Sequence, residues 1–275
     1  MPQKVKLHLN NFSKCYIMLL IKKIKEKKEL SGIPDNIVKE VLDKVLKSYP
    51  SGLSKKDEKL VIKESRSLLR NYVGRFKAKS SASIIKMVEK GRINEALMLH
   101  ASTRERMPFY DKLRKMIKDM RPGRILDIGC GLNPLAVAEK TFFYYASDID
   151  ENNLAVVKKF FDMHSIQGEI FIADMRKERN FPEADLCLIL KVFDIVKMPH
   201  KEVESLLACL KCRAFIMSFP TITLSGKQMK NKRRIWFEII LNKLGMKFEI
   251  ISSSNELFYI SHSGRPKEDS GPGRN

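Results

Sequence analysis

The sequence has few acidic residues, one tryptophan and no long apolar run. Asp and Glu total 32 against 52 Lys and Arg, so the 275-residue chain carries a net charge of +20. No apolar stretch approaches the roughly 20 residues of a membrane-spanning helix, and we expect no membrane partner. The nearest case, residues 15–21, is followed by charges and lacks a cleavage site, which predicts a helix face rather than a signal peptide. Because 44% of the residues are hydrophobic, wholesale disorder is excluded.

Cysteine is sparse and irregularly placed. The five cysteines are an odd number and show no spacing typical of a disulfide framework. Cys209 and Cys212 form a single CxxC, without a second pair or a histidine at zinc spacing. We therefore predict no metal site and a protein of the reducing cytoplasm.

The positive charge is concentrated in the first part of the chain. Residues 1–120 hold 29 Lys and Arg against 13 Asp and Glu, whereas residues 121–275 hold 23 against 19. A lysine-rich helix can simply be a soluble helix, but an asymmetry of +16 to +4 favours a module that binds a polyanion such as nucleic acid.

The basic part shows helical periodicity and no β-type alternation. Apolar residues recur at three- and four-residue intervals, which predicts helices over about 31–49, 55–73, 81–89, 93–99 and 108–120. We predict that residues 1–95 form an all-helical, basic domain.

From residue 121 onward, short apolar runs alternate with helical stretches. Strands are predicted at 124–128, 142–147, 169–173, 185–191 and 213–219, with helices at 151–164, 199–210 and 229–244. Such alternation predicts an α/β fold, a Rossmann-like parallel sheet with right-handed crossovers. Two last strands, at 247–253 and 256–261, predict an antiparallel hairpin at or near one sheet edge. We assign residues 96–262 to this domain and predict a disordered tail at 263–275.

A glycine turn after the first strand predicts a nucleotide-type ligand. Gly129 and Gly131 let the backbone approach a ligand, and Asp148 at the end of the second strand can accept both ribose hydroxyls. Pro134 stands where a dinucleotide fingerprint needs a small residue, so an NAD-linked enzyme is disfavoured. Asp174 after the third strand can accept from an adenine amino group. This set indicates an S-adenosylmethionine-dependent methyltransferase, the alternative being a glycine turn with unrelated surface acids.

Five stretches carry a more specific resemblance. They are HASTRER at 100–106, ILDIGCGLNPLA at 125–136, SDID at 147–150, SFP at 218–220 with LSGK at 224–227, and WFE at 236–238. In this order they resemble the 16S ribosomal RNA (guanine-N7) methyltransferase family that confers aminoglycoside resistance. The match spans residues 100–260, while the first 90 residues match only in being basic and helical. The resemblance implies a methyltransferase acting on 16S rRNA in the 30S subunit. Separately, we expect a monomer.

The resemblance also implies roles for individual residues. Arg106 would hold the methionine carboxylate of the cofactor, and Asp148 and Asp174 the ribose and the adenine. The predicted S-adenosylmethionine site comprises His100, Ser102, Thr103, Arg106, Gly129, Gly131, Asp148, Ile149, Asp174, Met175 and Leu190. His100 alone would more often be a capping or core residue.

Guanine N7 carries a free lone pair, so its methylation needs no general base, and we predict none. Positioning of the flipped base is expected to come from Trp236, Lys191 and Phe219, although Trp236 can equally be a helix-core residue. The predicted RNA-binding cations are Lys55, Lys56, Lys59, Lys63, Arg66, Arg70, Lys227, Lys230, Arg233 and Arg234.

Two other functional classes fit the same sequence. A methyltransferase of another substrate class, such as tRNA, protein or a small molecule, would keep the cofactor residues and differ in its target. A non-catalytic RNA-binding protein would have lost cofactor binding, which the intact set of Gly129, Asp148 and Asp174 argues against.

Overall fold

The computed structural model describes residues 12–49, 53–73, 80–223 and 227–262. The predicted disordered tail at 263–275 and residues 224–226 of the LSGK motif lie outside the described residues. In the described part of the chain, no helix is both long and apolar enough to cross a membrane.

Three amphipathic helices form a hydrophobic cluster of their own at the amino-terminal end. They are α1 (Lys14–Lys25), α2 (Asp35–Leu46) and α3 (Lys55–Val73). Leu20 and Ile24 of α1 meet Val38 and Leu42 of α2 beneath Val61 of α3, all fully buried. The apolar faces of three helices are thus closed against one another, and their lysines remain outside.

Four further helices lead into the sheet. They are α4 (Ser81–Glu89), α5 (Ile93–Met98), α6 (Ala101–Arg106) and α7 (Tyr110–Asp119), with a 3-10 turn at Met107–Phe109 before the last. Ile84, Val88 and Leu97 are buried in the same hydrophobic cluster as the sheet residues, apart from the cluster of α1 to α3. By packing, α4 and α5 therefore belong with the sheet; the domain boundary at residues 95 and 96 stays a prediction.

A seven-stranded mixed sheet forms the centre of the second unit, as the sequence predicts. Its strands are β1 (Arg124–Ile128), β2 (Phe143–Asp148), β3 (Gly168–Ile172), β4 (Ala184–Leu190), β5 (Cys212–Pro220), β6 (Lys247–Ser252) and β7 (Glu256–His262). The order is β3-β2-β1-β4-β5-β7-β6, with β7 antiparallel to both neighbours. The predicted hairpin at the sheet edge is confirmed. Because β7 runs backwards, its first residue lies beside the last residue of β5, Glu256 opposite Pro220.

Five helices connect or follow the strands. They are α8 (Pro134–Val137), α9 (Glu151–His164), α10 (Val192–Val196), α11 (His200–Cys209) and α12 (Ile235–Lys243). The helix predicted at 229–244 is wrong at its start, because α12 begins only at Ile235. Arg234 ends the preceding loop: its guanidinium donates to the carbonyls of Asn231 and Lys232, and its amide donates to the Tyr259 hydroxyl.

The loop between α1 and α2 attaches the three-helix unit to the sheet unit at the start of α9. The amide of Glu151 donates to the Gly32 carbonyl at 2.9 Å, and Asn152 Nδ2 donates to Ser31 Oγ at 3.0 Å. A Cβ on Gly32 would lie 2.5 Å from Asn152 Nδ2 and closer still to the carboxylate of Asp150. Only glycine fits at this contact.

We expect Gly32→Ala to lower the free energy of unfolding by about 1–3 kcal/mol, because the methyl group overpacks a closed contact. Asp150 cannot swing away without cost, since its Oδ1 accepts from the Asn152 amide at the start of α9. Urea unfolding measures the effect. Gly123→Ala is the matched control, since a Cβ there meets only the tip of the Asp185 side chain at 3.2 Å. Equal stability of the two variants would contradict the tight docking of the loop.

Candidate functional site

The glycine turn after β1 forms the floor of a cavity at the carboxyl ends of β1 and β2. Gly129 and Gly131 adopt positive φ angles of 67° and 52°, which other residues rarely adopt. A Cβ on Gly129 would lie 2.7 Å from Val192 Cγ2, and one on Gly131 would lie 3.3 Å from His100 Cε1. Both glycines are therefore needed for backbone conformation and for space.

The carboxylate of Asp148 is held in place by the turn that it faces. Its Oδ2 accepts from the Gly131 amide at 2.7 Å, and its Oδ1 accepts from the Asp150 amide at 2.8 Å. Asp148 thus ties the end of β2 to the glycine turn at the position predicted to receive a ribose.

Ten of the eleven residues predicted to bind the cofactor line this one cavity. They are His100, Ser102, Thr103, Arg106, Gly129, Gly131, Asp148, Ile149, Asp174 and Met175. Leu190, the eleventh, is buried in the core and is absent from the lining. The predicted cofactor role of Leu190 is therefore not supported by its position, because its side chain packs inside the sheet.

The sequence reasoning missed several residues of the cavity wall. The wall also contains Cys130, Asp150, Asn153, Ala173, Arg176, Val192, Ile195 and Val196. Arg176 is the most consequential, because its Nε donates to Asp174 Oδ1 at 2.7 Å and its amide donates to the same oxygen at 3.1 Å. The sequence signal that could have identified Arg176 is a cation two residues after Asp174.

The cavity offers complementary groups along its length, which is the chemistry that S-adenosylmethionine requires. Asp148 and Asp174 supply carboxylate acceptors, and Arg106 supplies a cation. Val192 and Ile195 give one wall an apolar surface. A close glycine backbone, two acids and one arginine fit a ligand that carries an adenosine and an amino-acid carboxylate.

Arg106 and Glu256 form a fully buried ion pair beside the cavity. Arg106 Nη2 donates to Glu256 Oε1 at 2.7 Å and Nε donates to Oε2 at 3.1 Å, with both side chains 1% exposed. Burial alone would raise the pKa of Glu256, but the charges of Arg106 and Lys191 outweigh it, and the pKa lies below its ordinary value. The carboxylate therefore stays ionised. No motif in the sequence pointed to Glu256.

Lys191 follows β4 in a left-handed conformation, with φ 64° and ψ 0°. Its Nζ donates to Glu105 Oε2 at 2.8 Å and lies 3.4 Å from Glu256 Oε2. The side chain is only 4% exposed, and it is absent from the cavity lining. The predicted strand at 185–191 thus ends one residue earlier, because the turn at Lys191 redirects the chain into α10.

The two aromatic residues predicted to hold the target base behave differently. Phe219 is fully buried among Phe193, Phe237 and Tyr259, so its position does not support the predicted contact with a base. Trp236 is partly exposed, but His200 stacks on it at 4.0 Å and 4° between the rings. One face of Trp236 is already covered, and its role as a platform stays a prediction.

The predicted RNA-binding cations fall into two groups. Arg66 donates to the carbonyls of Lys23 and Ile24 and so caps the carboxyl end of α1, while Arg70 pairs with Glu29 at 2.9 Å. The exposed cations are Lys55, Lys56, Lys59, Lys63, Lys227, Lys230 and Arg233.

Arg234 belongs to the structural group as well. It donates to Asp194 Oδ2 at 2.7 Å and to the Pro220 carbonyl at 2.9 Å, and its side chain is 11% exposed. An RNA-binding role for Arg66 or Arg234 is therefore not supported, since the guanidinium groups serve the fold. Arg233 pairs with Glu238 but remains 59% exposed.

The CxxC gives no sign of metal binding within the described residues, where no three His, Cys, Asp or Glu side chains converge. Cys212 is buried next to Cys187, whereas Cys209 lies on α11 and donates to a carbonyl of that helix.

Comparison with known proteins gives a consistent picture. A family model described as ribosomal RNA methyltransferase (FmrO) matches residues 61–260. A 16S rRNA (guanine(1405)-N(7))-methyltransferase of Serratia marcescens is 29% identical over 74% of this chain and 84% of its own length. A protein of the same name from Frankia casuarinae is 28% identical over 61% of this chain, and the chain spans 63% of that relative.

Two solved structures have the same fold. The 16S rRNA methyltransferase RmtF, solved with S-adenosyl-L-homocysteine, has a TM-score of 0.76 at 23% identity, covering 90% of this chain and 98% of RmtF. The 16S rRNA methylase RmtB gives a TM-score of 0.72 at 24% identity, covering 90% of this chain and 98% of RmtB.

Asp127, close to the glycine turn, is a buried acid whose pKa is shifted from its ordinary value. Burial raises the pKa of Asp127 to about 6, although Asn133 Nδ2 and the Tyr144 hydroxyl both donate to its Oδ2. The folded state therefore binds the proton of the Asp127 carboxyl more tightly than the unfolded state does. The protonated carboxyl contributes to stability below about pH 4, and this contribution is lost as the pH rises through 6.

We expect Asp127→Asn to remove this part of the pH dependence, because an amide oxygen can accept both hydrogen bonds without ionising. The free energy of unfolding of the variant minus that of the wild type should rise by up to about 3 kcal/mol between pH 4 and pH 7. Urea unfolding across that range measures it, with Asp162→Asn at an exposed position as the control. A difference that does not change with pH would contradict the prediction.

Proposed function

The chain belongs to the FmrO family of ribosomal RNA methyltransferases, and from this premise we propose that it methylates N7 of a guanine in the decoding site of 16S rRNA. The methyl donor is S-adenosylmethionine, and the consequence is aminoglycoside resistance. The single observation that carries the proposal is the cavity in which the family motifs converge, supported by relatives named for guanine 1405.

We assign the ends of the cofactor to groups on the cavity wall. Asp148 would accept from the ribose hydroxyls and Asp174 from the adenine amino group, while Arg106 would hold the carboxylate of the methionine part. When bound, the cofactor supplies a methyl group activated by a positively charged sulfur. Val192, Ile195 and Val196 cover one side of the cavity and exclude water from it.

The target atom explains why positioning is the main demand on the protein. Guanine N7 has a lone pair in the ordinary tautomer, so no side chain has to remove a proton from the base. Rate enhancement then depends on holding the two reactants in line and on the charges around them. Residues locked by hydrogen bonds, such as Asp148 and Arg106, meet that demand.

We propose that the three-helix unit docks on rRNA through the exposed lysines of α3. Lys55, Lys56, Lys59 and Lys63 lie within one 100° arc of this helix and are solvent-exposed. Such a row can follow a phosphate backbone, and its contribution to affinity would fall with increasing salt. The folded 30S subunit is the proposed substrate. We propose that the enzyme acts on it as a monomer in the cytoplasm.

The proposed function is tested by incubating the purified protein with S-adenosylmethionine and 30S subunits, then mapping N7-methylguanine on 16S rRNA by borohydride and aniline cleavage. We expect one modified guanine in the decoding site, and raised aminoglycoside tolerance on expression in a susceptible bacterium. Free tRNA and naked 16S rRNA serve as alternative substrates. Methylation of tRNA in place of 30S subunits would reassign the target, and unmodified 30S subunits would refute the proposal.

We expect the triple variant Lys55→Glu, Lys59→Glu and Lys63→Glu to weaken binding to 30S subunits at least about tenfold, because three phosphate contacts become repulsive. Its affinity for S-adenosylhomocysteine should stay unchanged. The matched control reverses Lys112, Lys115 and Lys118, three exposed lysines on α7. Equal loss of 30S binding in both triple variants would contradict a docking surface on α3, as would a parallel loss of cofactor affinity.

A further inference from the structure

Glu256 is the buried centre of a hydrogen-bonded charge cluster. Besides its hydrogen bonds from Nε and Nη2 of Arg106, its carboxylate accepts from the Ser218 hydroxyl and lies 3.4 Å from Lys191 Nζ. The Glu256 side chain is 1% exposed. Three groups, from α6, β5 and the turn after β4, thus meet at one carboxylate of β7.

A cluster of this kind is a poor way to gain stability. Removing an arginine and a glutamate from water costs about as much as their attraction returns, and apolar residues of similar size would serve the fold equally well. The identity of the partners suggests another reason for the cluster. Arg106 lines the cofactor cavity, and Lys191 lies at the end of β4, where the target base is expected.

We propose that Glu256 is a positioning residue for methyl transfer, which holds Arg106 toward the cofactor and fixes the Lys191 turn beside the target site. The inference rests on the proposed function and extends it to a residue 150 positions away from Arg106 in sequence.

The contact with Arg106 determines which edge of its guanidinium faces the cavity. Arginine has five N–H donors in a rigid plane. Glu256 receives hydrogen bonds from Nε and Nη2, so this edge of the plane points toward β7. The rest of the guanidinium lies beside the Tyr110 hydroxyl and the cavity that Arg106 lines. A carboxylate of the ligand would meet an arginine that is already oriented.

The contact with Lys191 supports another part of the cavity wall. The left-handed backbone of Lys191 is unfavourable for a residue other than glycine and has to be held by its surroundings. Its amide donates to the Ser218 carbonyl at 3.0 Å and to Ser218 Oγ at 3.1 Å, and Ser218 Oγ in turn donates to Glu256. This turn starts α10, whose Val192 packs against Gly129. Glu256 therefore contacts Arg106 of the cavity wall directly and the start of α10 through Ser218 and Lys191.

The decisive variant is Glu256→Gln, which keeps the size of the side chain and removes its charge. We expect the dissociation constant for S-adenosylhomocysteine, measured by calorimetry, to rise at least about tenfold. In 30S methylation assays the KM for S-adenosylmethionine should rise and kcat should fall. An affinity within twofold of the wild type, together with an unchanged kcat, would overturn the inference.

The control variant is Glu238→Gln, which breaks another glutamate–arginine pair, with Arg233, outside the cavity lining. If loss of an ion pair acted only through general stability, both variants would bind S-adenosylhomocysteine more weakly in proportion to their loss of thermal stability. We expect a weaker affinity for Glu256→Gln alone. An equal loss in both variants at equal melting temperatures would assign Glu256 a structural role and overturn the inference.

A second variant, Glu256→Asp, keeps the charge and shortens its reach, and it decides the question if Glu256→Gln fails to fold. We expect an affinity between those of wild type and Glu256→Gln, because the charge remains while the hydrogen bonds to Arg106 lengthen. Wild-type affinity and kcat in Glu256→Asp would overturn the inference. A wild-type protein that binds S-adenosylhomocysteine but leaves 30S subunits unmodified would refute the proposed function instead, and the affinities of the variants would still be informative.

Discussion

The reversed direction of β7 is the constraint on which the site depends. In a parallel sheet every strand delivers its carboxyl end to the same edge, and the next residues must form the ligand site. An antiparallel strand in such a sheet brings its amino-terminal end to that edge instead. Glu256, the first residue of β7, therefore lies opposite Pro220 at the end of β5 and within reach of Arg106. The hairpin that closes the sheet therefore also provides the buried acid that pairs with Arg106 beside the cavity.

Local sequence patterns were sufficient to predict the secondary-structure elements but not the pairings between distant residues. The helices at 55–73 and 151–164 agree with the structure because apolar positions with a period of 3.6 residues record the buried face of a helix. The strand at 124–128 agrees because a short apolar run records a strand buried on both faces. The motif at 100–106 and the glycine turn identified most of the cavity. Glu256 escaped notice because a buried acid looks like any acid until its partners, 38 to 150 residues away, are known.

The same limit applies to the basic residues. Sequence spacing places Arg66 on the same face of α3 as Lys59 and Lys63, yet Arg66 turns to cap α1 and the lysines do not. A planar guanidinium can donate to two carbonyls at a helix end, which a lysine ammonium does less well. Arg234 likewise closes a loop against Asp194 and Pro220. In this protein the exposed part of the charge comes mainly from lysine, so counting cations overstates the surface available to RNA.

The three-helix unit also contacts the segment that forms part of the cofactor cavity. Its loop at Ser31 and Gly32 contacts the start of α9, and Ile149, which lines the cofactor cavity, packs against its hydrophobic cluster. A unit that only tethered RNA would need no such contact. Asp148, the residue proposed to bind the ribose, and Asp150 lie on the same short segment as Ile149. The helix proposed to dock on RNA and the cofactor cavity therefore belong to units in direct contact, which suits a reaction that relies on alignment rather than on proton transfer.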